Sequence, residues 1–403
     1  MRARRLGSCI LLVTALAACA SVPPLLPRPA PSGYITELRK NEELGKTPTV
    51  PRSMSAQILA VTRSWLGEHD AAIAEFDTAY PAGNKLPQGP DLSQDLSEEA
   101  MTAILREAQT RQVVILNEAH HVPMHRAFAM RLARELRKLG FEYLACEAFN
   151  TAGDPNVGAV GRQTGFYVQD PVFAEFVRDA RHEGWKLVPY EAGAPDRNLS
   201  DIEQVRQREQ TQAKNLLDRI LAIKPTAKVF IYVGYAHAQK LPVIRNGESA
   251  LWMAGELKRL TGIDPLSIDQ SSNFAHADPS REQAGYRAAL ARSPGLKPFV
   301  LRKADGGWRV NGYKAGAIDM QVFHPPQPLA QGRSSWLETL AERRAFAVPA
   351  AWMPSSGRRL VHAFHADDPA DATPADIVLL EAGKPAPALM LPPGKFRYEF
   401  EDL

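Results

Sequence analysis

The sequence predicts an α/β fold, in which a mostly parallel sheet with flanking helices is followed by a smaller β-rich C-terminal region. Short apolar runs alternate with helical patterns from residue 113 to residue 268, as expected for parallel strands joined by helical crossovers. The first run, Val113 to Leu116, is continuously apolar, which is typical of a strand covered on both faces. From about residue 270 onward, strand and turn patterns dominate.

The N-terminal residues predict a secretory signal peptide over residues 1–18. Three Arg side chains precede an apolar run that ends in Leu16-Ala17-Ala18-Cys19. This string resembles a bacterial lipobox, which implies cleavage before Cys19 and lipidation of its thiol. Because Ala, not Asp, follows Cys19, the resemblance to sorted lipoproteins implies an outer-membrane anchor with the domain facing the periplasm. Residues 19–50 are predicted to form a Pro-rich tether.

Charge and cysteine content narrow the class of protein. The chain has 48 basic and 45 acidic side chains, and three of the Arg lie in the predicted signal peptide, so the mature net charge is near zero. This balance argues against a nucleic-acid partner. Only Cys146 remains once Cys9 is removed and Cys19 is lipidated, so no intrachain disulfide is expected and Cys146 is predicted to be a small core residue.

The elements of the α/β domain, residues 51–270, follow from apolar periodicity and from end signals. Asp170-Pro171 is a helix start, and Gly140 and Gly184 follow helix ends. In the long helix over residues 201–222, Glu209 and Gln212 interrupt the apolar stripe, so either they face a polar cavity or the helix partly leaves the core there. The predicted strands are 113–116, 143–146, 185–190, 229–233 and 265–268. The other predicted helices are 55–79, 97–110, one ending before Gly140, one after Asp170 and 249–260.

The remaining chain is predicted to be β-rich. Residues 271–344 form an extension of the core domain, with strands at 299–302, 308–313 and 318–323 and a hairpin turn at Asp305-Gly306-Gly307. Residues 345–403 are predicted to form a small β module, because strand patterns again dominate from residue 360 to the end.

Acidic and imidazole side chains follow every predicted strand of the sheet. Because ligands bind at the carboxyl edge of open parallel sheets, these residues are expected to converge on one site. They are Glu118, His120 and His121 after the first strand, Glu147 after the second, Glu191 after the third, His237 after the fourth and Asp269 after the fifth.

This combination of residues favours hydrolysis by one of two routes. His120, Glu147 and His237 could bind a divalent transition metal that keeps one position open for water. Without a metal, His120 could act as a general base that a Glu orients. His125 is predicted to be a surface or capping residue.

Four short motifs resemble a superfamily that joins erythromycin esterases, haem-binding ChaN-like lipoproteins and the Tiki/TraB proteins. They cover residues 111 to about 270, and they are Asn117-Glu118-Ala119-His120-His121, Leu144-Ala145-Cys146-Glu147, Arg208-Glu209 with Asn215-Leu216, and Gly234-Tyr235-Ala236-His237. The resemblance implies a site of Glu118, His120, Glu147 and His237, with Arg208 positioning or stabilising charge. Asn117 departs from the usual Gly; if that Gly needs a positive φ, Asn is its least costly replacement, although its side chain could narrow the pocket.

Three functions remain open from the sequence. The first is a lipid-anchored hydrolase of a small-molecule or peptide ester or amide, in which His120 activates water, Glu118 or Glu147 orients it, and Arg208 and His237 stabilise the oxyanion. The second, implied by the ChaN-like resemblance, is an uptake lipoprotein that binds haem or a metal, with His121, Tyr235 or His237 as an axial ligand. The third is an envelope scaffold with a vestigial site.

Overall fold

Six parallel strands form the central sheet of the structure, a computed structural model that describes residues 28–29, 33–79, 89–194, 196–293 and 295–402. The α/β fold class is confirmed. The predicted signal peptide and Cys19 lie outside the described residues. The strands, in chain order, are β1 (Val113–Glu118), β2 (Tyr143–Cys146), β3 (Lys186–Pro189), β4 (Val229–Gly234), β5 (Leu266–Asp269) and β6 (Met320–Gln321).

The order of strands across the sheet is β6-β5-β1-β4-β2-β3. The chain runs outward from β1 through β2 to β3, returns with β4 to the place beside β1, and continues through β5 and β6 on the other side. Ile115 of β1 is in register with Ile231 of β4, and Glu118 is level with Gly234. The ends of β1 and β4 therefore lie at the point where the strand order reverses, which is where open α/β sheets bind ligands.

Different helices cover the two faces of the sheet, and three others precede it in the chain: α1 (Tyr34–Lys46), α2 (Arg52–Trp65) and α3 (His69–Asp77). Val114 and Leu116 of β1 face one core cluster and Val113 and Ile115 face the other, because successive strand side chains point to opposite faces. The first face is covered by α4 (Ala100–Ala108), α5 (Pro123–Lys138) and α6 (Pro171–His182), and the second by α7 (Asp201–Leu216) and α8 (Met253–Thr261). By the same alternation, Glu118 points toward α5 and Asn117 points toward the opposite face.

The helices before the sheet differ from the prediction in two ways. The predicted helix over residues 55–79 is two helices, Arg52–Trp65 and His69–Asp77, which are separated at Gly67, where φ is +74°. The predicted helix over residues 97–110 starts later, because Leu96–Glu99 pairs as a strand with Phe299–Arg302. The backbone bonds of that pairing replace the first helical turn.

The prediction of a tether over residues 19–50 is wrong for part of that range, because residues Tyr34–Lys46 form a helix. Its Ile35 and Leu38 are buried against Leu59 of the following helix and against Leu360 and Ile377 of the C-terminal region. Burial of an apolar stripe therefore decides the structure here, and the Pro-rich composition does not extend past residue 31.

The C-terminal region contains a sheet of its own, as predicted. Arg358–His365 pairs with Asp376–Glu381 on one side and with Phe396–Asp402 on the other, and Arg28–Pro29 adds in parallel to the last strand. Residues 344–346 pair with Leu389–Leu391. Two short helices, Tyr286–Leu290 and Trp336–Thr339, precede this region.

Three further predicted elements are corrected between residues 243 and 323. Residues 308–313 form no strand, although Trp308 bridges Arg302 across the predicted turn at Asp305-Gly306-Gly307. The predicted strand over residues 318–323 is only β6, which joins the parallel sheet beside β5. The predicted helix over residues 249–260 begins only at Met253, because Glu248–Ala250 pairs with Val243–Arg245 as a hairpin. Among the described residues, none of the helices has the length and apolar content needed to span a bilayer.

Candidate active site

Glu118, the last residue of β1, is buried and accepts hydrogen bonds from three side chains. Arg126 of α5 donates to both of its carboxylate oxygens, with Nε 2.8 Å from Oε2 and Nη2 2.9 Å from Oε1. Tyr232 of β4 donates its hydroxyl to Oε2 at 2.8 Å. Burial alone would raise the pKa of Glu118, but the Arg126 guanidinium and the contact with His120 hold that pKa well below its usual range. Glu118 is therefore a fixed carboxylate.

His120 is oriented by this carboxylate. Its Nδ1 lies 2.8 Å from Glu118 Oε1, and because the carboxylate is ionised, the ring donates the Nδ1 proton. The ring stacks on Tyr167, with centroids 4.0 Å apart, and meets Tyr235 edge-on at 5.0 Å. In the neutral ring the lone pair is consequently on Nε2, which faces Gly234 and Glu147.

Glu147, the residue after β2, reaches the same place from the neighbouring strand. Its Oε2 accepts the backbone N–H of Gly234 at 2.5 Å, and its Oε1 accepts from Arg208 Nη2 at 2.6 Å. A Cβ on Gly234 would lie 2.5 Å from His120 Nε2 and 3.1 Å from Glu147 Oε2. The absence of a side chain at Gly234 thus lets the His120 ring and the Glu147 carboxylate approach each other across the end of β4.

Arg208 of α7 joins the carboxylates from the other face of the sheet. It donates to Glu191 with Nε at 3.1 Å and with Nη2 at 2.6 Å, and its Nη1 lies 3.1 Å from His237 Nε2. Burial alone would lower the pKa of Arg208, but Glu191 and Glu147 raise that pKa. Arg208 is therefore a permanent cation whose orientation three neighbours fix.

A second pair of Glu and His completes the site. His237 follows β4, and its Nδ1 lies 2.6 Å from Glu209 Oε2, which also accepts the backbone N–H of Met253 at the start of α8. His237 Nε2 lies 3.5 Å from Glu147 Oε1. Burial alone would lower the pKa of His237, but Glu147 and Glu209 raise it above its ordinary value. Burial likewise opposes ionisation of Glu147, yet His237, His120 and Arg208 lower the pKa of Glu147 to about 2.

A cavity of about 760 Å³ opens onto one side of this cluster. Its lining includes Glu191, Arg208, Glu209, His237 and Trp252, and the Trp252 ring lies edge-on to His237 with centroids 5.9 Å apart. His120 is not among the lining residues; its ring stacks on Tyr167 and its side chain is 16% exposed. A bound molecule therefore meets His237 and Arg208 first.

The structure brings together five predicted catalytic residues but not all of the predicted strand-end residues. Glu118, His120, Glu147, Arg208 and His237 are linked by the contacts above, and Glu191 joins them. Asp269 does not: it accepts from Asn117 and Gln321 at the far side of β1. Strands are about 4.8 Å apart, so the three steps from β5 to β2 separate their ends by roughly 14 Å.

His121 and Tyr235, predicted as cofactor ligands, do not form an open axial site. The His121 ring is 1% exposed and stacks on Phe76 with centroids 3.8 Å apart, and burial lowers its pKa well below the usual range. The Tyr235 hydroxyl lies 3.4 Å from His121 Nδ1. His125 is also buried and accepts the backbone N–H of Ala119, which precedes the helix, so His125 is neither on the surface nor a helix cap. These contacts do not fit a haem face.

The predicted metal set of His120, Glu147 and His237 also requires correction. Among the residues that the structure describes, no three His, Cys, Asp or Glu side chains are grouped to hold a metal ion. The physical reason is Arg208, whose guanidinium contacts both Glu147 and His237 Nε2. A fixed cation thus stands between the donor atoms that would have to share the metal.

Asn117 holds the strand ends in place rather than filling the pocket. Its side chain is fully buried and donates to the Tyr235 carbonyl at 2.8 Å and to Asp269 at 2.7 Å, and it accepts from the Gln270 backbone N–H. Asn117 is part of β1 and has no positive φ, so the condition under which a Gly would be needed at this position is not met. Tyr235, however, has φ of +39°, a strained value for a bulky residue, in the turn that Asn117 holds.

A buried chain of charges supports Glu118 from behind. Arg126 Nη1 lies 3.4 Å from Asp170 Oδ1, and Asp170 accepts the Val172 and Phe173 backbone N–H groups at the start of α6. The Pro171 carbonyl in that first turn accepts from Arg343, which also lies 3.7 Å from Asp376 of the C-terminal sheet. The support of the site therefore extends across the predicted boundary at residue 345.

Several residues of the site carried little or no sequence signal. Glu209 and Gln212 were marked by the interrupted stripe of α7, and the polar-site alternative is confirmed, since Gln212 donates to Glu191. Arg126, Tyr167 and Tyr232 had no such signal. Cys146 is buried, and burial raises the pKa of its thiol, which agrees with the predicted core role.

Comparisons with known proteins give only distant structural similarity. No family model and no curated protein matches the sequence. Similar solved structures include one titled bacterial protein toxins (13% identity, TM-score 0.29, 51% of this chain and 43% of that chain). Another is an effector domain, RRSP, of a Vibrio vulnificus MARTX toxin (13% identity, TM-score 0.31, 57% of this chain and 45% of that chain). A third is the C-terminal region of Pasteurella multocida toxin, described as having a thiol-protease-like catalytic triad (9% identity, TM-score 0.34, 87% of this chain and 49% of that chain). The chain spans less than half the length of these three structures, and their TM-scores are too low to transfer a function.

Proposed function

We propose that the chain is a hydrolase of ester or amide bonds, anchored to the periplasmic side of the outer membrane through Cys19. The observation that supports this function is the convergence of two carboxylate-oriented imidazoles, Glu118–His120 and Glu209–His237, on one Glu147–Arg208 pair. A base and an acid that face the same point are what hydrolysis requires.

His120 serves as the general base. Glu118 accepts the Nδ1 proton, so Nε2 of the neutral ring is free to take a proton from water. Stacking on Tyr167 keeps the ring in this plane. As the proton passes to Nε2, the hydroxide adds to the substrate carbonyl carbon, and Glu118 stabilises the imidazolium that forms.

His237 serves as the general acid. Its raised pKa keeps it protonated over a wider pH range than a free imidazole, and its Nε2 faces the cavity side of Glu147. When the bond between carbonyl carbon and leaving group breaks, the Nε2 proton passes to the leaving oxygen or nitrogen. Glu209 and the Met253 backbone N–H hold the ring in place.

Arg208 stabilises the charge that develops on the carbonyl oxygen. Its Nε and Nη2 groups donate to Glu191 and Glu147, which fixes the plane of the guanidinium before the substrate arrives. A cation that is already oriented does not have to reorganise during the reaction, which makes its stabilisation of an oxyanion more effective.

The test is hydrolysis of 4-nitrophenyl acetate and of acetyl 4-nitroanilide by the purified protein. We expect His120→Ala and His237→Ala each to reduce kcat/KM about 10²-fold to 10⁴-fold, the usual contribution of a general acid or base. His182→Ala, at the exposed end of α6, is the matched control and should retain full activity. Retained activity in the His120→Ala protein would contradict the assignment.

The lipid anchor is tested separately. Radiolabelled palmitate should be incorporated into the wild-type chain in cells and not into a Cys19→Ala variant. Equal labelling of the two proteins would overturn this part of the proposal and leave the catalytic assignment unaffected.

A further inference from the structure

We infer that the substrate of this site carries an organic cation, such as an alkylammonium group, close to its ester or amide bond. This inference rests on the proposed hydrolase function and adds a substrate class to it. Three observations support it: the excess of carboxylates over cations at the cavity, the hydrogen bonds that already use the donors of Arg208, and the position of Trp252 in the lining.

Carboxylates outnumber cations in the inner part of the cavity. Glu191 and Glu209 line the cavity, and Glu147 lies next to this lining; the three carboxylates share two cationic groups of the lining, Arg208 and His237, through contacts of 3.5 Å or shorter. With His237 neutral the excess is two negative charges, and with His237 protonated it is still one. At the rim, Asp201 and Arg245 both line the cavity and balance each other.

The Nε and Nη2 donors of Arg208 are not available to bind an anionic group of a substrate, which leaves only Nη1 for the carbonyl oxygen. Its Nη2 is shared between Glu147 and Glu191 at 2.6 Å each, and its Nε is bound to Glu191. A phosphate or carboxylate could gain these donors only by displacing two carboxylates that are themselves mostly buried. Because an unpaired buried carboxylate is costly, the cavity disfavours anions.

Trp252 provides a surface on which an organic cation can rest. It lines the same cavity as Glu191 and Glu209, and its ring lies beside His237. Trp is the aromatic side chain that attracts ammonium groups most strongly, and carboxylates nearby add to that attraction. The volume of about 760 Å³ is sufficient for a small molecule that places its cation against Trp252 and its carbonyl at Arg208.

The experiment compares three 4-nitrophenyl esters of nearly equal shape: 4-(trimethylammonio)butanoate, the neutral 5,5-dimethylhexanoate and the anionic glutarate monoester. We expect kcat/KM to be about 10-fold or more higher for the cationic ester than for the neutral one, and lower again for the anionic one. Added NaCl should reduce the difference, because salt screens charges at an open cavity. Equal rates for the cationic and neutral esters, or a preference for the anion, would overturn the inference and leave the hydrolase function intact.

Variants locate the preference within the cavity. Trp252→Leu should lower kcat/KM for the cationic ester more than for the neutral ester, whereas Trp308→Leu, on the side of α4, should not change their ratio. An unchanged ratio in Trp252→Leu would show that Trp252 does not recognise the cation, which contradicts the inference as stated.

A binding measurement keeps the two proposals separable. Calorimetric titration of the His120→Ala protein with 4-(trimethylammonio)butanamide and with 5,5-dimethylhexanamide compares the same two groups without turnover. Tighter binding of the cationic amide supports the inference even if no ester is hydrolysed, in which case only the hydrolase function fails. Equal binding of the two amides would overturn the inference by itself.

Discussion

Replacing Gly234 by Ala should inactivate the site while leaving the fold intact. Gly234 has φ of −86° and ψ of 144°, values that Ala adopts without strain. The effect of the substitution is therefore purely steric. The new Cβ would lie 2.5 Å from His120 Cε1 and Nε2, where ordinary van der Waals contact begins at about 3.4 Å.

The size of the expected effect follows from these distances. The His120 ring has to move by roughly 0.9 Å to relieve the contact, which is enough to break its 2.8 Å hydrogen bond with Glu118 or to separate it from Tyr167. Misplacement of a reacting group by about 1 Å can reduce a rate about 10²-fold. We therefore expect kcat/KM to fall by about that factor, with cooperative thermal unfolding retained.

The assay is ester hydrolysis combined with ¹⁵N-edited NMR of the His ring nitrogens, in which the Nδ1–H signal of His120 should shift. The control is Gly193→Ala, because Gly193 also lines the cavity, has no atom within 4 Å of the added Cβ, and has no positive φ. Full activity and an unchanged His120 signal in Gly234→Ala would refute the argument that His120 is the base and that this glycine gives it its position.

Three further predictions concern charge. The pKa of Glu147 is lowered from 4.5 to about 2, so its ionisation contributes ~3 kcal/mol to the free energy of unfolding above pH 4.5. This contribution is lost as the pH falls toward 2, which urea unfolding at pH 6 and pH 2.5 should show. Glu147→Gln should weaken this dependence of stability on pH. Because the pKa of His237 is raised, the decline of activity on the alkaline side should occur at higher pH than for a free imidazole. Glu209→Gln should move that decline to lower pH, and an unmoved profile counts against His237 as the acid. Arg126→Met removes the cation that pairs with the buried Glu118 carboxylate, so the free energy of unfolding should fall by about 3–5 kcal/mol in chemical denaturation. A loss under about 1 kcal/mol would contradict this role of Arg126.

The sheet and most of its end residues could be predicted because both depend on local pattern. Val113–Leu116 and Tyr143–Cys146 are continuous apolar runs, and the residues after such runs must emerge at the carboxyl edge. What the sequence could not supply was the order of the strands across the sheet. Asp269 was expected in the site because its strand ends in an acid, but β5 lies on the far side of β1 from Glu147.

The partners of the catalytic residues were harder to predict, for a different reason. An Arg on an amphipathic helix normally faces solvent, and nothing in the period of α5 shows that Arg126 is covered on every side. Tyr167 lies in the 3-10 turn Phe166–Gln169, where no periodicity applies. Glu209 could be suspected only because burial of an acid within an apolar stripe requires a partner, which proved to be His237.

The chain of buried charges behind Glu118 affects how this site could be transplanted. A segment limited to residues 111–270 would retain Glu118, Arg126 and Asp170 but would lose Arg343, which holds the first turn of α6, and Asp376 beside it. Such a graft would keep every reacting side chain and still lose part of the framework that holds Arg126 against Glu118. The part of the chain that this active site needs is therefore longer than residues 111–270, the segment that contains the four motifs.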